Sequence, residues 1–95
     1  MVKINWTDQA VEDLTNIAEF IRKDSEKYAR ITVKNIRDRA SQLKRFPTSG
    51  KIVPEIEKTE IRELIFGNYR IIYKIFSSTR IDILTVHHSA RQLKL

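Results

Sequence analysis

The chain has 95 residues and no cysteine, and its 18 lysines and arginines against 12 aspartates and glutamates give a net charge of +6. This length corresponds to one small domain, residues 1–95, with a single hydrophobic core. The lack of cysteine excludes a disulfide framework and a thiolate metal site. Since no apolar run is long enough for a signal peptide or a membrane span, we expect a soluble, cytoplasmic protein with no membrane partner. Its basic charge favours polyanions or an acidic protein as partners.

Residues 2–6 (VKINW) alternate in the manner of a short strand, and Thr7 is a predicted helix N-cap. Apolar residues at helical spacing then predict a first helix that ends near Asp24. They are Ala10, Leu14, Ile17, Ala18 and Ile21.

Ser25 is the predicted N-cap of a second helix that runs to about Phe46. Its apolar residues repeat at four-three-four-three spacing, which is typical of a helix face turned toward a core. They are Ala29, Val33, Ile36, Ala40 and Leu43. The short break between the helices predicts an antiparallel helical hairpin. Pro47 and Gly50 end the second helix and begin a loop that reaches about Glu60.

From residue 61 onward the period changes to two, and IRELIF, YRIIYKIF and RIDILTVHH predict three strands in a meander. The turns between them are Gly67-Asn68 and Ser77-Ser78-Thr79. The predicted order is therefore β-α-α-β-β-β. The expected fold class is α+β, an antiparallel sheet with a helical hairpin packed on one face.

The turn lengths also predict the strand register. A two-residue turn places Glu63 opposite Ile72, and a three-residue turn places Lys74 opposite Asp82 and Arg70 opposite Val86. One face then carries mainly polar side chains: Glu63, Arg70, Lys74, Asp82 and His88. The other face is mostly apolar, includes His87, and is expected to lie under the helices.

Glu63, Arg70 and His88 gather at one end of the predicted polar face. A histidine for proton transfer, an arginine for a phosphate and a carboxylate as base or orienting group form a plausible site for cleaving a phosphodiester. A cross-strand ion pair beside a surface histidine explains the same residues more simply. No metal site is expected, because His87 and His88 point to opposite sides of a strand and no third ligand has a suitable spacing.

The second helix carries a basic ridge beside its apolar face, formed by Lys27, Arg30, Lys34 and Arg37, with Lys44 or Arg45 beyond it. Such a ridge could follow phosphates or hold an acidic partner, and a solvated helix face is the plain alternative. No aromatic residues are interleaved with it, so a base-stacking platform is not indicated.

Several stretches, in this order and spacing, resemble the RelE/ParE superfamily of toxins from bacterial toxin–antitoxin modules, often labelled plasmid stabilisation proteins. The matching stretches are Trp6-Thr7 with Ala10 and Asp13-Leu14, the FPxxG segment 46–50, IRELIFGNYRIIYKI at 61–75, and VHHSARQL at 86–93. The resemblance implies a single RelE/ParE-like toxin domain. The fold of that family, a sheet carrying a helical hairpin, agrees with the predicted pattern.

The superfamily has two branches with different activities. RelE-like members cleave messenger RNA on the ribosome, whereas ParE-like members inhibit DNA gyrase and generally lack the nuclease residues. The FPxxG loop, the REL-x-x-GNYRI-x-Y segment and the H-x-x-R ending resemble the ParE-like branch more closely. Whether the chain is an enzyme therefore depends on the branch.

The residues expected to bind the target or a phosphate are Arg62, Arg70, Lys74, His88 and Arg91. In the ParE-like interpretation, Arg70, His88 and Arg91 contribute to structure and to a docking surface. In the RelE-like alternative, an endoribonuclease that acts as a ribosome-dependent mRNA interferase, the catalytic residues would be Glu63, Arg70 and His88. The expected partners are an acidic cognate antitoxin, with a toxin–antitoxin heterotetramer as one assembly, and DNA gyrase, or the ribosome and mRNA in the alternative. No cofactor is expected.

Overall fold

The computed structural model describes residues 2–89 and residue 93, and its elements follow the predicted order with one addition. In chain order they are β1 (Lys3–Trp6), α1 (Asp8–Arg22), α2 (Glu26–Ser41), a 3₁₀ turn (Gln42–Lys44), β2 (Lys51–Ile52), β3 (Ile61–Phe66), β4 (Tyr69–Ser77) and β5 (Arg80–His88). The addition is β2, a two-residue strand within the segment predicted to be a loop. In the part of the chain described, no helix is both long enough and apolar enough to cross a membrane.

Both helices begin where side-chain oxygens satisfy free backbone donors. The Thr7 hydroxyl accepts a hydrogen bond from the Ala10 N–H at 3.2 Å, and the Ser25 hydroxyl accepts one from the Tyr28 N–H at 3.0 Å. Each cap lies directly before the first helical residue, as the sequence predicts. The predicted helix starts are therefore confirmed, and α2 ends earlier than predicted because its last turn tightens into the 3₁₀ geometry.

The strands form one sheet in the order β1-β5-β4-β3-β2. The meander of β3, β4 and β5 is antiparallel as predicted, but β1 lies parallel to β5, with Lys3 beside Arg80 and Trp6 beside Ile83. The sheet is therefore mixed, and the fully antiparallel prediction was wrong for β1. Two neighbouring parallel strands require a long connection, and here the rest of the chain, including both helices, supplies it.

The turn between β3 and β4 forms as predicted. Phe66 pairs with Tyr69 across Gly67-Asn68, and Gly67 adopts a φ of 55°, a left-handed conformation that glycine reaches without strain. This turn sets the register of the whole hairpin and places Glu63 opposite Ile72.

The core lies between the helical hairpin and one face of the sheet, as expected from the apolar pattern. Its buried members come from both layers: Val2, Ala10, Leu14, Ile36, Ala40, Leu43, Leu64, Ile71, Tyr73, Ile81, Ile83 and Val86. The amphipathic stripes of α1 and α2 thus cover the apolar sheet face, which is the arrangement that buries both at once.

Tyr73 joins this core to the loop that follows the helices. Its hydroxyl donates to the Pro47 carbonyl at 2.8 Å and accepts from the Gly50 N–H at 3.0 Å, while burial raises the pKa of the phenol. A Cβ at Gly50 would lie 2.6 Å from both the Glu63 carbonyl oxygen and the Tyr73 hydroxyl. The FPxxG segment and Tyr73 therefore form one structural unit.

Candidate functional site

A carboxylate–arginine cluster occupies the sheet face opposite the helices. Arg70 on β4 donates from Nε to Glu63 of β3 at 3.0 Å, and its two terminal nitrogens donate to the Glu55 carboxylate at 2.7 and 2.8 Å. Lys51 of β2 places its Nζ 3.7 Å from the other Glu63 oxygen. The Glu63 side chain is only 3% exposed and that of Arg70 12%. The predicted pair of Glu63 and Arg70 is thus assembled, but as a mostly buried ion-pair network.

Glu55 was absent from the predicted site, although it accepts two hydrogen bonds from the Arg70 guanidinium. It lies in the segment between β2 and β3, which folds over this face of the sheet. The sequence shows no sign of this contact, because a carboxylate in an irregular loop has no periodic position relative to a strand. As a consequence, a phosphate approaching Arg70 would have to displace a bidentate carboxylate.

The charges of the cluster stabilise each other. The hydrogen bond from Arg70 is the main cause that lowers the pKa of Glu55 to about 2. The pKa of Arg70 is raised above its ordinary value, first by its hydrogen bond to Glu55 and also by Glu63. Both groups are therefore charged across the physiological range, and neither is poised to exchange a proton near neutral pH.

We expect the Glu55→Gln variant to flatten the acid limb of the stability profile. Because the pKa of Glu55 is lower in the folded chain than its ordinary value of 4.5, its contribution is present above that value and is lost as the pH falls toward 2. The measurement is the melting temperature of wild type and variant at several pH values between about 5 and 2. Asp82, whose pKa Arg80 also lowers, is present in both proteins, so its contribution to the pH dependence of stability is the same in each. If the melting temperatures of wild type and variant fell in parallel with pH, the stabilising role of the Glu55 carboxylate would be refuted.

A β-bulge in β5 changes which histidine joins the cluster. Tyr73 pairs with Ile83 and Ile72 with Thr85, so Leu84 is an extra residue without a partner on β4. Beyond it, Arg70 lies opposite His87, and the predicted pairing of Arg70 with Val86 is wrong. Because side chains alternate along a strand, the extra residue exchanges the faces predicted for the two histidines.

His88 therefore lies on the same side of the sheet as the helices, not beside Glu63 and Arg70. It pairs with Tyr69, and the two rings meet edge to face with their centroids 5.5 Å apart. His88 also borders a cleft with Phe20 and Asn16 of α1. The three residues predicted to act in RNA cleavage, Glu63, Arg70 and His88, are thus divided between the two faces of the sheet.

Two side chains, Thr7 at the N-cap of α1 and Asp13 within the helix, hold the bulge in place. The Thr7 hydroxyl shares its one hydrogen between the carbonyls of Ile83 and Leu84, both at 2.9 Å. The Asp13 carboxylate accepts hydrogen bonds from the Thr85 hydroxyl and, at 3.0 Å, from the Val86 N–H. These contacts satisfy the backbone groups that a bulge leaves outside the sheet ladder. The position of both histidines consequently depends on residues more than 70 positions earlier in the chain.

The other predicted binding residues lie apart from the cluster. Arg62 donates from Nε to the Thr59 carbonyl at 2.9 Å and from Nη1 to the Gly50 carbonyl at 3.0 Å, so it ties together two parts of the loop region. Lys74 places its Nζ 4.5 Å from the centroid of the Phe76 ring. Arg91 lies outside the residues that the structure describes, and its predicted role stays a prediction.

The basic ridge of α2 is exposed to solvent, as its spacing implies. Its members are Lys27, Arg30, Lys34 and Arg37. Within the described ranges, 2–89 and 93, no three histidine or carboxylate side chains come together in a way that could hold a metal ion.

Comparison with known proteins places the chain in a family. The family model of the ParE toxin of the type II toxin–antitoxin system parDE matches residues 4–93. A solved structure described as the chromosomal ParDE toxin–antitoxin system from P. aeruginosa superimposes with a TM-score of 0.76 at 21% sequence identity. The match covers 93% of this chain and 96% of the other. No curated protein sequence gives a match. The chain belongs to the family of ParE toxins of type II toxin–antitoxin systems, and it has the ParE-like fold.

Proposed function

We propose that this toxin inhibits DNA gyrase by binding to it, without catalysing a reaction of its own. Membership of the ParE family is the first support, since the ParE-like branch is the one associated with gyrase. In this proposal the cognate antitoxin neutralises the toxin until the antitoxin is lost from the cell. Toxin and antitoxin assemble as a heterotetramer.

The observation that carries the choice of binding over cleavage is the state of Arg70. All of its hydrogen-bonded nitrogens face carboxylates, and two of these bonds close a bidentate pair with Glu55. An arginine in this state offers little attraction to a phosphodiester, because two carboxylates already neutralise its single positive charge. His88, for which proton transfer was predicted, lies across the sheet beside Tyr69, and the histidine opposite Arg70 is His87.

The net charge of +6 supports an acidic antitoxin as the neutralising partner. Complementary charge accelerates association and favours the correct partner over proteins of like charge. Such an antitoxin would wrap the toxin with a segment that is disordered when free and orders on binding.

The test follows DNA synthesis, translation and message integrity separately after the wild-type chain is induced in growing cells. A purified gyrase supercoiling assay accompanies it. We expect DNA synthesis to stop first, with intact messages and with supercoiling inhibited by the purified toxin. An early translation block with cleaved messages would overturn the proposal.

Two variants identify the histidine that takes part in catalysis if messages are cleaved. If the chain cleaves messages, His87→Ala would abolish cleavage because His87 faces Arg70, whereas His88→Ala would leave it largely intact. The two histidines are matched controls for each other, since they are neighbours in sequence and lie on opposite faces of the sheet.

A further inference from the structure

The sheet face opposite the helices carries an exposed aromatic side chain near the turn between β4 and β5. This residue is Phe76, which is 48% exposed. It is an extra residue in β4, because Ile75 pairs with Ile81 and Ser77 pairs with Arg80. A β-bulge of this kind redirects a side chain while the pairing of the strands continues on both sides of it. The bulge therefore leaves an apolar ring turned toward solvent at one end of the sheet.

Two cations hold the Phe76 ring in position. The Nζ of Lys74 and the guanidinium carbon of Arg80 each lie 4.5 Å from the ring centroid. Arg80 is fixed in turn, because it donates to both oxygens of the Asp82 carboxylate at 3.0 and 2.9 Å. A side chain that is already ordered in the free protein loses less conformational entropy on binding. The ring is therefore prepared to enter a complementary surface.

The charge around this ring is positive. Lys3 of β1 is exposed and lies beside Arg80 in the parallel pairing of β1 with β5. Neither Lys3 nor Lys74 forms an ion pair with a carboxylate in residues 2–89 or 93. The Asp82 carboxylate is engaged with Arg80, and its side chain is only 8% exposed. Lys3, Lys74, Phe76 and Arg80 thus form one basic surface around an apolar centre, the Phe76 patch.

We propose that the Phe76 patch is the surface by which the toxin docks on gyrase, with the ring in an apolar pocket and carboxylates at the pocket rim on Lys3 and Lys74. The inference rests on the proposed function and assigns a surface to it. The ring supplies apolar contact at the centre of the patch, and the cations select a partner surface of opposite charge. An apolar pocket with an acidic rim matches both properties.

A protein surface fits this patch better than a nucleic acid does. A base that stacked on Phe76 would compete with the two cations that already lie over the ring. A phosphate at Arg80 would compete with the bidentate Asp82 carboxylate. The phosphate backbone of a duplex also offers no apolar pocket for the ring. An acidic pocket on a protein uses the ring and leaves the contact between Arg80 and Asp82 in place.

The test measures the affinity of purified toxin variants for purified gyrase, together with their inhibition of supercoiling. The patch variants are Phe76→Ala and Lys74→Gln. The control for the first is Ile65→Ala, since Ile65 is 47% exposed and lies opposite Arg70 at the other end of the same face. The control for the second is Lys58→Gln, which removes an exposed cation outside the patch. We expect Phe76→Ala to weaken binding about 30-fold and Lys74→Gln about fivefold, with both controls within about twofold of wild type.

A further variant, Phe76→Leu, separates lost docking from lost folding. Leucine keeps an apolar side chain but not the ring, so we expect a melting temperature close to that of the wild type and a loss of gyrase affinity of about fivefold. This intermediate loss in a folded protein supports the inference even if Phe76→Ala is unstable. Wild-type affinity in Phe76→Leu, beside a Phe76→Ala protein that binds weakly because it unfolds, would contradict it.

Three other results would overturn the inference. These are unchanged gyrase affinity in the patch variants, an equal loss in the controls, and weaker binding of the patch variants to free duplex DNA while gyrase affinity stays constant. Growth arrest in cells separates this inference from the proposed function. If the wild type inhibits gyrase and folded Phe76→Ala inhibits it equally, the proposed target stands and the docking surface is wrong. If the wild type does not bind gyrase, but Phe76→Ala loses growth arrest and Ile65→Ala keeps it, the target is wrong and the docking surface stands.

Discussion

Replacing Arg70 with alanine is expected to lower the free energy of unfolding by about 3–5 kcal/mol, the range observed when one partner of a buried ion pair is removed. The reason is the position of Glu63, whose side chain is 3% exposed. Without Arg70, the cationic contact left to Glu63 among the described residues is Lys51, which lies 3.7 Å away and is itself exposed. The loss of Arg70 also frees the loop that carries Glu55. Denaturant unfolding of wild type and variant, followed by circular dichroism, measures the change.

A double-mutant cycle tests whether the cost comes from the pair itself. In the Arg70→Ala/Glu63→Ala protein no buried carboxylate remains unpaired, so the loss of stability should be clearly smaller than the sum of the two single losses. Additive losses would show that Glu63 and Arg70 do not depend on each other. Any loss of toxicity in Arg70→Ala must be judged against this result, because an unfolded toxin is inactive whatever the role of Arg70.

Replacing Asp13 with alanine is expected to release the bulge in β5, at a cost of about 2 kcal/mol in stability. The Asp13 carboxylate accepts from the Val86 N–H and the Thr85 hydroxyl, and alanine would leave both donors without this acceptor. The bulge positions the histidines, so the variant should also weaken the edge-to-face contact between Tyr69 and His88. Denaturant unfolding gives the first quantity, and proton NMR cross-peaks between the two rings give the second.

The matched control for this experiment is Asp38→Ala. Asp38 is an exposed helical aspartate that is paired with Lys34 on the surface, so its loss should change stability by less than about 0.5 kcal/mol. If Asp13→Ala preserves both stability and the ring contact, Thr7 alone is sufficient to hold the bulge. The dependence of the histidines on Asp13 would then be refuted.

The features predicted correctly depend on residues that are close together in the sequence. Helix starts at Thr7 and Ser25 were predictable, because a cap depends on residues three positions away. The β3–β4 register was predictable because Gly67-Asn68 permits a tight turn. In the second hairpin, the pairings of Tyr73 with Ile83 and of Lys74 with Asp82 were also predicted correctly.

The second turn itself is shorter than predicted. Ser77 pairs with Arg80 across two residues, and an irregularity at Phe76 compensates for the shift, so the pairings nearby stay as expected. After Leu84, no second irregularity restores the predicted pairing. The one-residue shift therefore continues to the end of β5, and the two histidines exchange faces of the sheet.

The sequence by itself determined the fold class, the helical hairpin, the apolar face of the sheet and the pairing of most of the meander, because each depends on periodicity or on turns within a few residues. Only the tertiary structure decided three features that bear on function. They are the parallel pairing of β1 with β5, the ion pair between Arg70 and Glu55, and the bulge that places His87 rather than His88 beside the cluster. Each of these rests on contacts between residues far apart in the chain. No local pattern records such contacts, since their free energy appears only when the helices pack on the sheet.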